Sequence, residues 1–295
     1  MERMNYLHHY CQTKRTKEYN SDIKRFFIRS QFMEREQKGH IFIGRFVPVL
    51  YCAVPKVAST NWKRMMLLFD GIKSNISELS VKSKVHTQAG LRPLYEVKSI
   101  NIPQTVSNSF KFLFVRHPFE RLVSAYRNKF RDNNTYFERT YGSRILKMFR
   151  KGLTTEEYNE GKGATFKEFT IWLIRTETYD PHWYPVTKLC HPCSIRYNFI
   201  GKMETLLTDA KQVVNHIGSH TQFPATWSDG YKVSSNNLMF QLFSTLNANQ
   251  IKGLYEFYQE DFEAFDYGLP RVNKQYNTKD NILLQTMKKI LNKKF

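Results

Sequence analysis

Two stretches of the 295-residue chain combine residue types that bind anions. The first reads Val54-Pro55-Lys56-Val57-Ala58-Ser59-Thr60-Asn61-Trp62-Lys63-Arg64. A buried-strand pattern ends where it begins, and a helical pattern starts where it ends. The first N–H groups of a helix have no intrahelical partner, and the helix dipole favours negative charge beside them. Lys56 adds a point charge for a phosphate or sulfate oxygen, and Ser59 and Thr60 add hydroxyl donors. The pattern G-x-x-x-x-G-K-[ST] is absent, which disfavours a nucleoside triphosphate kinase. Taken alone, the loop reads equally well as an ordinary helix start, with Ser59 or Thr60 as N-cap and Lys56 on the surface.

The second stretch runs Phe112-Leu113-Phe114-Val115-Arg116-His117-Pro118-Phe119-Glu120-Arg121-Leu122-Val123-Ser124-Ala125-Tyr126-Arg127-Asn128-Lys129-Phe130. Arg116 stands at the end of an apolar run, where a guanidinium can hold a phosphate through two parallel hydrogen bonds. Pro118 suits the first position of a helix. Glu120, Ser124 and Arg127 then share one face, opposite a stripe of Phe119, Leu122, Val123, Tyr126 and Phe130. The plain alternative is an amphipathic helix with Arg127 and Lys129 in solvent.

Three strand-then-helix units must position these residues. The run Val49 to Val54 lacks alternation, as a strand buried on both faces does, and Ile41 to Ile43 pairs with it across Gly44-Arg45. After the first loop, Trp62, Met65, Met66 and Phe69 fall at helical spacing. The second unit is Phe112 to Val115 with the helix from Pro118. The third is Tyr197 to Gly201, followed by Leu206, Leu207, Ala210, Val213, Val214 and Ile217, with Gly218 as the stop. Repeated strand–helix order predicts an α/β layer fold with a mainly parallel sheet, whose ligands bind beyond the carboxyl ends of the strands. Further helices are expected at Phe166 to Arg175, Ile251 to Phe265 and, in the polar lead-in, around Ile23 to Met33. The organisation is thus a polar, basic lead-in over 1–38, a folded domain over 39–270 and a basic tail over 271–295 that carries a weak stripe of Leu283, Met287 and Ile290.

Composition narrows the partners. Hydrophobic residues at 41% and aromatics at 15% supply a real core and exclude a disordered chain. A formal net charge of +19 favours a polyanionic partner without selecting among nucleic acid, acidic glycan and lipid head groups. No helix-turn-helix, zinc-finger or RNA-binding signature is present, so nucleic acid is not expected. No run of about 18 apolar residues is present, and residues 1–38 lack the apolar core of a secretory signal. Cys11, Cys52, Cys190 and Cys193 have the wrong spacing for a four-cysteine zinc site, and no metal is expected. The C-x-x-C pair Cys190 and Cys193 fits a local disulfide, a redox pair or two packed thiols.

The two anion motifs, P-K-V-A-S-T-N-W-K-R and F-V-R-H-P-F-E-R-L-V-S-A-Y-R-N-K-F, closely resemble the cofactor motifs of the Golgi carbohydrate sulfotransferases, in the branch of the chondroitin and dermatan 4-O-sulfotransferases. A third stretch resembles the same branch: His182-Trp183, then Leu189-Cys190-His191-Pro192-Cys193, then Tyr197 to Leu206. The resemblance spans roughly residues 41 to 268. It implies a P-loop-like three-layer sulfotransferase fold with a mainly parallel central sheet. It also implies sulfuryl transfer from 3′-phosphoadenosine 5′-phosphosulfate (PAPS) to a hydroxyl of an acidic, chondroitin-like polysaccharide. On that pattern Pro55, Lys56, Val57, Ala58, Ser59, Thr60 and Asn61 hold the 5′-phosphosulfate, while Arg116 and Ser124 hold the 3′-phosphate. The family resides in the Golgi behind an amino-terminal anchor, which is not visible in this sequence. Two departures are His117, where the family usually has Asp or Glu, and Ser59, where close relatives have Cys.

Sulfuryl transfer, like phosphoryl transfer, is an in-line displacement catalysed by positioning and charge. Lys56 offsets charge on the leaving phosphate. The acceptor hydroxyl needs a base. The candidates are His86, between the two cofactor motifs, and His182, in the third; Glu120 and Glu204 are further options. The sequons Asn75-Ile76-Ser77 and Asn133-Asn134-Thr135 matter if the chain enters the secretory pathway. The readings that compete are a non-catalytic binder of anionic glycans on the same fold, a sulfotransferase that has lost activity, and a sulfotransferase for another acceptor.

Overall fold

The computed structural model describes residues 2–13, 39–72, 90–224, 235–269 and 282–292. The chain divides into two units: Met1–Arg116 with Val186–Gly230 and Glu263–Asp266, and His117–Pro185 with Tyr231–Phe262 and Tyr267–Phe295. The helices that bear on function are, in chain order, α1 (Glu2–Thr13), α2 (Ser59–Phe69), α3 (Pro118–Tyr126), α4 (Phe166–Thr176), α5 (Val186–Cys190), α6 (Leu206–Ile217), α7 (Ala248–Phe257) and α8 (Ile282–Asn292). Among the described residues, no helix is long and apolar enough to cross a membrane. The helix expected around Ile23 to Met33 lies outside the described residues.

The first unit holds a five-stranded sheet of β1 (Ile41–Ile43), β2 (Val49–Cys52), β3 (Arg92–Pro93), β4 (Phe110–Val115) and β5 (Phe199–Lys202), in the order β3-β1-β2-β4-β5. Ile41 pairs with Cys52 across the antiparallel β1–β2 turn. β2 and β4 run parallel with Cys52 opposite Leu113, and β4 and β5 run parallel with Val115 opposite Lys202. The sheet is therefore mixed, antiparallel at its β3-β1 side and parallel over β2, β4 and β5, the part that carries both anion motifs. All four β2 residues are buried, which is why the run shows no alternation.

Aromatic packing seats α2 on this sheet. Trp62 of α2 lies 4.9 Å from Phe112 and 4.7 Å from Phe114, and Tyr51 stacks on Phe112 at 4.9 Å. Each buried ring of this kind contributes roughly 1.5–3 kcal/mol. Gly201 on β5 makes room for the cluster, since a Cβ there would sit 2.2 Å from the Phe114 ring. α6 follows β5 and stops at Gly218 in the left-handed conformation, φ 74°, where a side chain would be strained.

The lead-in helix α1 is bonded into the first unit. Arg3 donates to the Asp209 carboxylate at 2.6 Å, to the Ile200 carbonyl at 3.1 Å and to the Thr205 hydroxyl at 3.0 Å. Cys11 forms a disulfide with Cys193, and Cys52 forms one with Cys190. The C-x-x-C pair is thus neither a local disulfide nor a dithiol; each cysteine reaches a partner more than a hundred positions away.

The second unit is helical. The stripe Phe119, Leu122, Val123, Tyr126 and Phe130 enters one core with Phe169, Trp172 and Leu173 of α4, Ile251 and Leu254 of α7, and Leu283, Leu284 and Met287 of α8. α4 opens with a capping box between Thr165 and Glu168. Past Tyr126 the helix widens into a π-turn over Arg127–Arg131, yet Phe130 still reaches the core. The expected helix over Ile251 to Phe265 is two helices, α7 and a short one at Gln259–Ala264.

Candidate functional site

β2 delivers the chain into the turn Pro55 to Ala58, and α2 begins at Ser59. Lys56 and Ala58 both have left-handed backbone, φ 72° and 64°. For residues with a Cβ this conformation costs on the order of 1–3 kcal/mol, and such outliers gather at ligand-binding turns. Turns of this kind point successive N–H groups to one side and create anion-binding concavities. The N-cap is Ala58, which has no side-chain acceptor, so no cap side chain occupies the first-turn N–H groups. Ser59 and Thr60 sit inside the first turn, partly exposed, and neither is the N-cap. The ordinary-helix-start reading of this loop therefore fails at its main assumption.

The other loop residues divide by role. Val57 is fully buried, whereas Pro55 and Lys56 are half-buried. Asn61 is buried and its side-chain oxygen accepts from Arg64 at 2.7 Å, so it braces the helix start. Two residues on, Lys63 lies over the Phe42 ring at 4.9 Å, and burial lowers its pKa to about 8.

Arg116 follows the last residue of β4 and is 9% exposed. Because β2 and β4 are neighbours, parallel and in register, the Lys56 turn and Arg116 leave the same carboxyl edge of the sheet. Adjacent strands lie about 4.8 Å apart, so two cationic side chains there can serve one multiply charged ligand.

Ser124 and His182 belong to the second unit. Ser124 is 7% exposed on α3, and its hydroxyl makes no hydrogen bond among the described residues. His117, the N-cap of α3, faces the Gly268 carbonyl at 3.3 Å and is ringed by Phe119, Phe262 and Tyr267. His182 Nδ1 lies 2.7 Å from Asp180 Oδ1, and Tyr141 donates to Asp180 Oδ2 at 3.1 Å. Neither Asp180 nor Tyr141 was singled out from sequence, although Asp180-Pro181-His182 places a carboxylate two residues from the histidine. His86 lies outside the described residues, as does the sequon at Asn75. Glu120 and Glu204 are partly exposed and belong to different units. Among the described residues, no cluster of three or more His, Cys, Asp or Glu side chains could hold a metal ion.

Comparison with known proteins assigns the family. The model of the Sulfotransferase family matches residues 39–268. Carbohydrate sulfotransferase 11 of Rattus norvegicus is 37% identical over 240 residues, covering 78% of this chain and 68% of that protein. Carbohydrate sulfotransferase 14 of Homo sapiens is 37% identical over 240 residues, covering 80% and 62%. Carbohydrate sulfotransferase 8 of Mus musculus is 34% identical over 240 residues, covering 79% and 57%. The match thus spans about two thirds or less of these relatives' length. No solved structure matches the chain. The motifs at Lys56 and Arg116 both fall inside the matched region, and the chain belongs to the sulfotransferase family, alongside the carbohydrate sulfotransferases.

Proposed function

We propose that the protein transfers a sulfuryl group from PAPS to a hydroxyl of a chondroitin-type glycan. The observation that carries this reading is the pairing, at one edge of the parallel strands, of a left-handed lysine turn with an uncapped helix start and a neighbouring buried arginine. On this reading the parallel part of the sheet is the core of a P-loop-like three-layer fold.

The residues present fit the donor's chemistry. The turn from Pro55 through Asn61 holds the 5′-phosphosulfate, with backbone N–H groups, the Ser59 and Thr60 hydroxyls and the Lys56 ammonium as donors. Lys56 offsets the negative charge that grows on the bridging phosphate oxygen as the sulfuryl group departs. Arg116 takes the 3′-phosphate through its fork of donors, and Ser124 adds a hydroxyl. PAPS supplies an activated sulfuryl group when bound; the chain supplies position and charge. His182 takes the acceptor proton.

Two further features favour this setting. The net charge of +19 suits an acidic polysaccharide. Two disulfides suit an oxidising compartment such as the Golgi lumen. The test is transfer of radiolabelled sulfate from PAPS to desulfated chondroitin, with Lys56→Ala beside the unsubstituted protein. Transfer that falls at least about a hundredfold in the variant is expected, the size of losing one transition-state charge contact. A folded protein that binds chondroitin but transfers nothing would favour the non-catalytic glycan-binding reading instead.

A further inference from the structure

The peptide around His182 is fixed to a degree that a surface turn does not require. Arg121 of α3, 1% exposed, donates to the Pro181 carbonyl at 2.7 Å and to the Tyr184 carbonyl at 2.8 Å. The Tyr258 hydroxyl donates to the Trp183 carbonyl at 2.5 Å, and the Trp183 indole donates to the Thr178 carbonyl at 2.9 Å. The carbonyls before and after His182 are thus held by buried side chains. A fully buried guanidinium is costly to keep, and two of its donor nitrogens bond to this turn.

The imidazole itself is oriented as tightly. Asp180 is buried, and its Oδ1 accepts from the His182 backbone N–H at 2.9 Å and meets Nδ1 at 2.7 Å. A carboxylate at that distance fixes the hydrogen on Nδ1 and leaves the lone pair on Nε2. Tyr141 donates to the other carboxylate oxygen. Burial, with the Asp180 charge and this hydrogen bond next, raises the Tyr141 pKa, so it stays a donor across the working range. The Phe137 ring stands edge-on to the imidazole at 5.3 Å, with the Lys129 ammonium 4.2 Å from that ring. Among the described residues, the charged and titratable groups near the histidine include Asp180, Tyr141, Lys129 and Arg121, the last two cations acting on Asp180. The His182 side chain keeps 25% exposure, while the Asp180 side chain keeps 9%.

We propose that Asp180 and Tyr141 are positioning residues that hold His182 in the Nδ1–H form, with Nε2 as the base for the acceptor hydroxyl. This rests on the sulfotransferase reading above. His182 Nε2 takes the hydroxyl proton as the acceptor oxygen bonds to sulfur. The bond from sulfur to the bridging phosphate oxygen breaks, and its electron pair leaves on the phosphate as adenosine 3′,5′-bisphosphate. The imidazolium later gives its proton to water.

The test compares His182→Gln, Asp180→Asn and Tyr141→Phe in the full chain. Transfer kinetics are measured against pH, and adenosine 3′,5′-bisphosphate binding is measured by calorimetry as a check on folding. His182→Gln is expected to lower kcat by about 10²–10⁴-fold with nucleotide affinity unchanged, the range of general base catalysis. Asp180→Asn should lower kcat less and move the acid limb of the kcat–pH profile to lower pH, because the imidazolium loses its counter-charge. Tyr141→Phe, the mildest change, should leave affinity intact and lower kcat severalfold. A kcat for His182→Gln within twofold of the unsubstituted value, or an unmoved acid limb in Asp180→Asn, overturns the proposal. Imidazole nitrogen NMR shifts separate this from failure of the sulfotransferase reading, since they need no turnover. His182 with its proton on Nε2 overturns the positioning role even in an active enzyme. The Nδ1–H form in a protein that transfers nothing overturns the sulfotransferase reading and leaves the orientation standing.

Discussion

Cys52, the last residue of β2, is disulfide-bonded to Cys190, the last residue of α5, across 138 positions of chain. Lys56 follows only four residues after Cys52, so the covalent tie sits at the root of the turn proposed to hold the phosphosulfate. A cross-link that closes so long a loop restricts the unfolded chain strongly and contributes about 2–5 kcal/mol. Replacing Cys52 and Cys190 together by Ala is expected to lower the urea midpoint and to weaken nucleotide binding. Replacing Cys11 and Cys193 should lower stability while leaving nucleotide affinity near its original value, because that pair anchors α1 rather than the Lys56 turn. Equal nucleotide affinities in both double variants would show that the Cys52–Cys190 tie has no part in shaping the turn.

Much of this layout was readable from residues alone. The unbroken apolar run at Val49 to Val54, the helical spacing from Trp62 and the strand before Arg116 gave the sheet's parallel part, since burial on two faces and a 3.6-residue period leave direct traces in sequence. The pairing of Cys190 and Cys193 left none. Four cysteines allow three connectivities, and the choice depends on which loops the tertiary fold brings together. The left-handed backbone at Lys56 and Ala58 was equally hidden, because no glycine marks it. The π-turn at Arg127–Arg131 has no period of its own, and Phe130 keeps the spacing of an ordinary helix. Asp180 was in view as a neighbour of His182, but only its bonds to Nδ1 and to Tyr141 give it a role.

Arg116 and Ser124 are proposed to read the same phosphate, and the nucleotide itself can test that. Arg116→Ala should weaken adenosine 3′,5′-bisphosphate binding by about 10–100-fold, the scale of a charged hydrogen-bonding contact, and Ser124→Ala by about 2–10-fold. Adenosine 5′-monophosphate, which has no 3′-phosphate, should bind both variants as it binds the unsubstituted protein. Arg116→Lys should recover only part of the loss, since an ammonium cannot make the two parallel bonds of a guanidinium. Calorimetric titrations with the two nucleotides decide it: an equal loss for both would place Arg116 away from the 3′-phosphate.

His191, between the two disulfide-bonded cysteines, gives the first unit an acid sensitivity. Burial lowers its pKa from the usual 6.5 to about 4. The unfolded chain therefore takes up a proton on this histidine before the folded one does. Its contribution is fully present above about pH 6.5 and is lost as pH falls through 4. That is at most about 3 kcal/mol across the window. His191 has left-handed backbone, φ 46°, a conformation that Asn tolerates well. His191→Asn should flatten the dependence of the urea midpoint on pH between 7 and 4 without altering the backbone. An unchanged slope would assign the acid sensitivity to other groups.

Asn133 is the acceptor position of a sequon that lies on the surface of the second unit. Asn133 and Thr135 are exposed, and Asn133 has left-handed backbone, φ 52°, directly before a short helix. Asn134, the middle residue, is the N-cap of that helix, its side chain accepting from the Phe137 N–H at 3.3 Å. The sequon's middle side chain is thus turned inward to a structural task, leaving the two residues that a glycosyltransferase recognises outside. When the chain is directed into the secretory pathway by an added signal peptide, Asn133 is expected to carry an N-glycan. The measurement is gel mobility before and after peptide N-glycosidase F, for the unsubstituted chain, Asn75→Gln and Asn133→Gln. A shift that survives Asn75→Gln and is reduced or abolished in Asn133→Gln is the expected result. A shift in the unsubstituted chain that Asn133→Gln leaves whole would mean that the exposed turn is not the modified one.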